Sequence, residues 1–141
     1  MSLAEKTMEH RNVTIASSSK FYDRVRSVLD ILQSHGLTCY TPAFDFDETK
    51  VVVSQEQKYH LTWAFLDKIR ASDVLFVIDT DGYTGTSVCI EIGYAYALQR
   101  PIYAIEPPSE LAIAALITRV MDVTDLANML SPMGKNLDKR Q

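Results

Sequence analysis

Residues 74–78 read Val-Leu-Phe-Val-Ile, five apolar side chains in a row, with Ser72-Asp73 before them and Asp79-Thr80-Asp81-Gly82 after them. A half-buried strand or an amphipathic helix interleaves polar residues, whereas an unbroken apolar run of this length suits a parallel strand covered on both faces. The segment reads as the central strand of a sheet packed between helices. On its N-terminal side, Ser54 to Ala71 carries Leu61, Ala64, Phe65, Leu66 and Ile69 at helical spacing, ended by Ser72-Asp73. On its C-terminal side a polar loop, Thr80 to Gly85, leads to a helix capped by Thr86 and running to about Gln99.

The same alternation continues to both ends of the chain. Val13 to Ala16 reads as a short β-branched strand, followed by the polar turn Ser17-Ser18-Ser19-Lys20. Phe21, Val25, Val28, Leu29 and Leu32 then recur at helical spacing up to the stop signal His35-Gly36. Leu37 to Tyr40 is a second strand, closed by Thr41-Pro42. Beyond the central region, Pro101 to Ile105 reads as a strand, Leu111 to Thr118 as a helix, Val120 to Val123 as a candidate edge strand and Asp125 to Leu130 as a terminal helix. Strand and helix in alternation, joined mostly by short connections, predict a three-layer α/β sandwich with a parallel sheet of four to five strands, flavodoxin-like or Rossmann-like. One domain is expected over 12–130, with a flexible leader, 1–11, and a mobile tail, 131–141.

Composition narrows the function. The chain has 141 residues, 47% hydrophobic and 23% charged, which is enough to build one core and unlike a disordered segment. A net charge of -4 and a pI near 5.3, with no basic stripe, argue against a nucleic-acid polymer as partner. Cys39 and Cys89 lack metal-ligand spacing and fit a reducing cytoplasm. No apolar run reaches the length of a membrane span, and the opening MSLAEKTMEH has no signal-peptide core. His10, His35 and His60 do not cluster, and Asp45, Asp47 and Glu48 match no calcium loop and read as a solvated acidic connection, so no metal is predicted. Neither P-loop, GxGxxG nor GxSxG is present.

One carboxylate stands out. The helix TSVCIEIGYAYAL, Thr86 to Leu98, has Glu91 as its single charged residue. A carboxylate on so apolar a helix is paired, exposed on a narrow stripe, or lining a cavity, because burying it alone is costly. Structural pairing and a functional role are about equally favoured by composition. Helical spacing puts Ser87, Glu91 and Ala95 on one face, where small Ala95 leaves room for a ligand, and a second-turn position favours the ionised form. Gly85, Thr86 and Ser87 at this helix start, and Ser17, Ser18 and Lys20 at the first, offer N–H groups, hydroxyls and one ammonium to an anion on the same sheet rim. Asp79, directly after the central strand, is placed to orient a sugar hydroxyl or transfer a proton, while Asp81 reads as a loop cap. Ile92, Tyr94 and Tyr96 exceed what one sheet face needs and suggest a homo-oligomer.

Three stretches, VTIASSSKFYD, LDKIRASDVLFVID and above all GTSVCIEIGYAYALQRPIYAI, together make the chain resemble the nucleoside 2-deoxyribosyltransferase-like superfamily, which includes 2'-deoxynucleoside 5'-phosphate N-hydrolases. The resemblance spans roughly Val13 to Glu106. It implies a nucleoside or nucleotide as the small-molecule partner, no cofactor, a homo-oligomer, and Glu91 as the nucleophile that attacks the anomeric carbon and releases a base. It also implies that Ser18, Lys20, Gly85 and Ser87 lie near the sugar or a 5'-phosphate. Two positions depart from the family's pattern. Phe65 stands where an acid commonly precedes the strand-opening aspartate by eight residues, and Thr14 matches a tyrosine of the nucleotide hydrolases. Asp79 is then the residue able to supply an acid from the loop. The alternatives are a nucleotide-binding module without turnover and a structural protein with a vestigial pocket.

Overall fold

The computed structural model describes residues 11–131. Among them five strands form one sheet: β1 (Asn12–Ser17), β2 (Thr38–Tyr40), β3 (Val74–Ile78), β4 (Ile102–Ala104) and β5 (Arg119–Val120). Their spatial order is β2-β1-β3-β4-β5 and every neighbouring pair is parallel. The central run is β3, as its pattern requires, buried at all five positions. Opposite each other across the β1–β3 pair stand Val13 and Val74 at one end and Ser17 and Ile78 at the other. This is the flavodoxin-like order, in which the chain leaves β1 toward one edge and β3 toward the other, opening a crevice beyond their carboxyl ends.

The helices are α1 (Tyr22–Ser34), α2 (Gln55–Ala71), α3 (Thr86–Ala97), α4 (Leu111–Ala114) and α5 (Val123–Leu130). Strand side chains point alternately to the two faces, so each face builds its own core. Val13, Ile15, Val74, Phe76 and Ile78 meet Val25, Val28 and Leu32 of α1 and Leu126, Ala127 and Leu130 of α5. On the other face Ala16, Leu75 and Val77 meet Phe65 and Ile69 of α2 and Val88, Ile92 and Ala95 of α3. Helix α2 starts on a capping box, in which Ser54 Oγ accepts from Gln57 N and Gln57 returns a bond to Ser54 N.

Several local expectations are corrected. Gly85, not Thr86, occupies the cap of α3, without a side-chain hydrogen bond, and Thr86 is its first helical residue. Helix α4 ends at Ala114 instead of reaching Thr118. Thr118 is drawn to the sheet edge, where its N–H donates to Ile102 O at 2.7 Å and its Oγ1 accepts from Ile102 N at 2.9 Å. The edge strand is therefore Arg119–Val120, and Asp122 caps α5 by accepting from Asp125 N at 2.8 Å. Ile92, expected at a partner surface, is fully buried in the core, while Tyr96 is 57% exposed. The expected leader lies outside the described residues apart from Arg11. So does the expected tail apart from Ser131, which is buried and donates to Ala127 O and His35 O. No helix of the described residues is long and apolar enough to cross a membrane.

Candidate active site

The pairing of Ser17 with Ile78 brings the turns that follow β1 and β3 side by side. Beyond them opens a cavity of about 580 Å³. Of the residues singled out from the sequence, Ser17, Ser18, Gly85, Thr86, Ser87 and Glu91 line it. Ser18 Oγ accepts from Lys20 N, which starts the single turn Ser19–Phe21 ahead of α1, and Ser17 Oγ donates to Ser18 O at 2.8 Å. The first helical turn of α3 faces the same space, so two sets of hydroxyls and backbone N–H groups share one rim.

Two expected members stand elsewhere. Lys20 is exposed, with Nζ 4.1 Å from the centre of the Tyr83 ring. Asp79 is fully buried and does not line the cavity; its Oδ1 accepts from Glu106 N at 3.0 Å and its Oδ2 has no hydrogen-bond partner. Burial pushes its carboxyl up to about 6, against the opposing effect of the Glu106 N–H. The loop after β3 is further clasped by Arg24 Nη1, which donates to Thr80 Oγ1 at 2.7 Å and lies 3.5 Å from Glu106, and by Asp81 N, which donates to Glu106 at 2.8 Å. Asp79 thus ties the ends of β3 and β4 together.

Glu91 lies on the inner side of α3, one turn beyond Ser87, with its carboxylate toward the cavity. Removal from water pushes its carboxyl up to about 8, opposed by the Lys58 ammonium. The helix dipole at the second turn favours the ionised form by about 1 kcal/mol, a smaller effect than the desolvation of an enclosed carboxylate. Ala95, expected to leave space beside it, is instead packed into the core.

The opposite wall comes from residues the sequence reading did not single out as site residues. Tyr22 from the start of α1, Phe46 and Glu48 from the segment after β2, and Lys58 from α2 all line the cavity, together with Phe65. Lys58 Nζ and Glu48 Oε1 are 3.0 Å apart, so this part of the expected solvated acidic connection reaches the site. Asp47 next to it is buried, and hydrogen bonds from Thr49 hold its carboxyl below the usual range. The Tyr22 hydroxyl is raised to about 12, by burial first and then by Asp47, Glu91 and Glu48. Lys68, also on this wall, donates to Thr41 O at 2.8 Å and pins the segment after β2 to α2. Among the described residues, no group of three or more His, Cys, Asp or Glu side chains is placed to hold a metal ion.

No family model and no curated protein matches the chain. Among solved structures, a 2-deoxyribosyltransferase from Bacillus psychrosaccharolyticus is similar at 24% identity and a TM-score of 0.66, over 83% of this chain and 90% of that one. A conserved protein from Enterococcus faecalis V583 is similar at 16% identity and a TM-score of 0.65, over 86% of this chain and 97% of that one. The parallel order β2-β1-β3-β4-β5 and these two likenesses agree: the chain shares the three-layer α/β fold of both proteins.

Proposed function

We propose that this protein cleaves or exchanges the N-glycosidic bond of a (deoxy)nucleoside or nucleoside 5'-monophosphate, with Glu91 as nucleophile. The observation that carries the reading is the position of Glu91, the lone charged residue of α3, at a cavity rimmed by the hydroxyls and N–H groups of Ser17, Ser18, Gly85, Thr86 and Ser87. The rim groups bind the sugar or its phosphate, and Lys20 swings from the Tyr83 ring toward a 5'-phosphate when one is present. Glu91 attacks C1' as a carboxylate and forms a glycosyl ester while the base departs. Water then completes a hydrolysis, or a second base a transfer. The reaction needs no cofactor. Asp79 serves as a positioning residue for the loop that carries Gly85, since its carboxyl points to Glu106 and not into the cavity.

The test is release of free base from ribo- and deoxyribonucleosides and their 5'-monophosphates, with Glu91→Ala beside the parent. Release that disappears in the variant is the expected result; a variant as fast as the parent removes Glu91 as nucleophile. One observation favours a second reading, a nucleotide-binding module without turnover: Phe65 is buried on the cavity wall where an acid is expected. That reading predicts ligand-dependent stabilisation with no base released from any compound. The proposal places the protein in the cytoplasm, in keeping with free Cys39 and Cys89. It also includes a homo-oligomer through the exposed Ile90 and Tyr96 of α3, and light scattering that shows a monomer at working concentration overturns this part.

A further inference from the structure

Glycosidic cleavage needs a group on the far side of the sugar from the nucleophile, to receive the charge of the departing base. Phe65 leaves that role open, and Asp79 is turned away. Among the described residues, the two cations lining the cavity are Lys58 and Lys68. Lys68 Nζ is committed to the Thr41 carbonyl and partly buried. Among the described residues Lys58 Nζ pairs with Glu48, at 3.0 Å, in a pair whose side chains are 43% and 46% exposed, so it can reorient toward a ligand. Lys58 stands on α2 and Glu91 on α3, so a ring seated between these helices presents its anomeric carbon to one and its leaving group to the other.

Resting on the function proposed above, we propose that Lys58, steadied by Glu48, is the catalytic residue that stabilises the departing base, and that the preferred substrate is accordingly a pyrimidine nucleoside or nucleotide. As Glu91 Oε bonds to C1', the C1'–N1 bond breaks and its electron pair passes to the pyrimidine, delocalised onto the O2 carbonyl. An ammonium donating a hydrogen bond to O2 stabilises that anion without giving up its proton. In the second half, water attacks C1', Glu91 leaves as carboxylate, and the water's proton goes to the base; the sum is nucleoside plus water to sugar plus base. Purines leave most readily once protonated at N7, which calls for an acid, so a site with an ammonium in that place favours pyrimidines.

The experiment compares the full chain with Lys58→Met and Lys58→Arg on 2'-deoxyuridine, 5-fluoro-2'-deoxyuridine and 2'-deoxyadenosine, each also as its 5'-monophosphate. The fluorine makes the base a better leaving group that needs less help. The parent is expected to favour pyrimidine over purine by about tenfold or more in kcat/KM. In Lys58→Met, kcat for uracil release falls about 100-fold and that for 5-fluorouracil less than tenfold, and Lys58→Arg recovers most of the loss. Equal losses on uracil and 5-fluorouracil, no loss at all, or a purine preference in the parent overturns the role of Lys58, while loss of release in Glu91→Ala leaves the wider reading standing. Absence of release from every compound with the parent brings down that wider reading and this inference with it. Melting temperatures of the variants within a few degrees of the parent separate these outcomes from misfolding.

Discussion

The carboxylate of Asp79 accepts a hydrogen bond from the backbone N–H of Glu106 at 3.0 Å, joining the end of β3 to the end of β4. The bond spans 27 residues of sequence and closes the base of the loop that leads to the cavity rim. It makes Asp79 structural first, and its consequences separate from those of Glu91.

Asp79→Ala should lower stability by about 1–3 kcal/mol, because the Glu106 N–H loses its buried acceptor. Asp79→Asn keeps an acceptor and removes ionisation. Since the folded carboxyl is raised to about 6 from 3.8, its favourable contribution is full below pH 3.8 and is lost as pH rises through 6. The Asn variant should therefore match or exceed the parent in melting temperature at pH 8 and lose that advantage near pH 4. Thermal denaturation across this range checks the sign.

Activity should carry the signature of Glu91. With the free protein's carboxyl raised to about 8 and the ionised form reactive, kcat/KM for base release should rise about tenfold per pH unit below pH 8 and level off above it. An activity that falls with rising pH over this interval would mean Glu91 acts as an acid. In stability the effect is opposite: the raised carboxyl favours folding below about 4.5 and loses that contribution as pH rises through 8. Glu91→Gln should thus melt higher than the parent at pH 8.5, by roughly 1–3 kcal/mol of stability, and close to it at pH 4.

Gly82 and Gly36 form a matched pair, with φ of +80° and +81°. A Cβ on Gly82 would lie 2.5 Å from Ser109 Oγ and 2.8 Å from Pro107 O, whereas one on Gly36 would meet nothing within 4 Å. Gly36→Ala should cost about 1 kcal/mol of backbone strain alone, and Gly82→Ala about 2–4 kcal/mol, with a weaker nucleotide affinity because the loop toward Gly85 shifts. Chemical denaturation of the two variants side by side measures the difference.

Thr14 lies fully buried under α2, where Oγ1 donates to Ser72 Oγ at 2.9 Å. Thr14→Val should reduce stability by about 1–2 kcal/mol and leave base release unchanged. A specific loss of turnover with stability intact would place this position in the site.

What could be read along the chain was whatever depends on neighbours in sequence. The apolar run 74–78, the helical spacing from Phe21 to Leu32 and the isolation of Glu91 each report a local period, and period follows from which sides of a strand or helix are covered. The parallel three-layer sandwich and the meeting of Ser17 with the loop after β3 follow from that pattern and the rules of α/β connection. Tertiary structure alone decided the rest. Glu48 stays exposed, as a turn residue should, yet α2 brings Lys58 to 3.0 Å from it, and Tyr22 at the start of α1 meets Phe44 of the segment after β2 edge to face. Asp79 seemed aimed at a ligand until Glu106 supplied the N–H that turns it away. In each case the partner lies far along the chain, so the direction of a side chain and the state of its proton depend on which distant groups exclude water from it, and no local spacing records that.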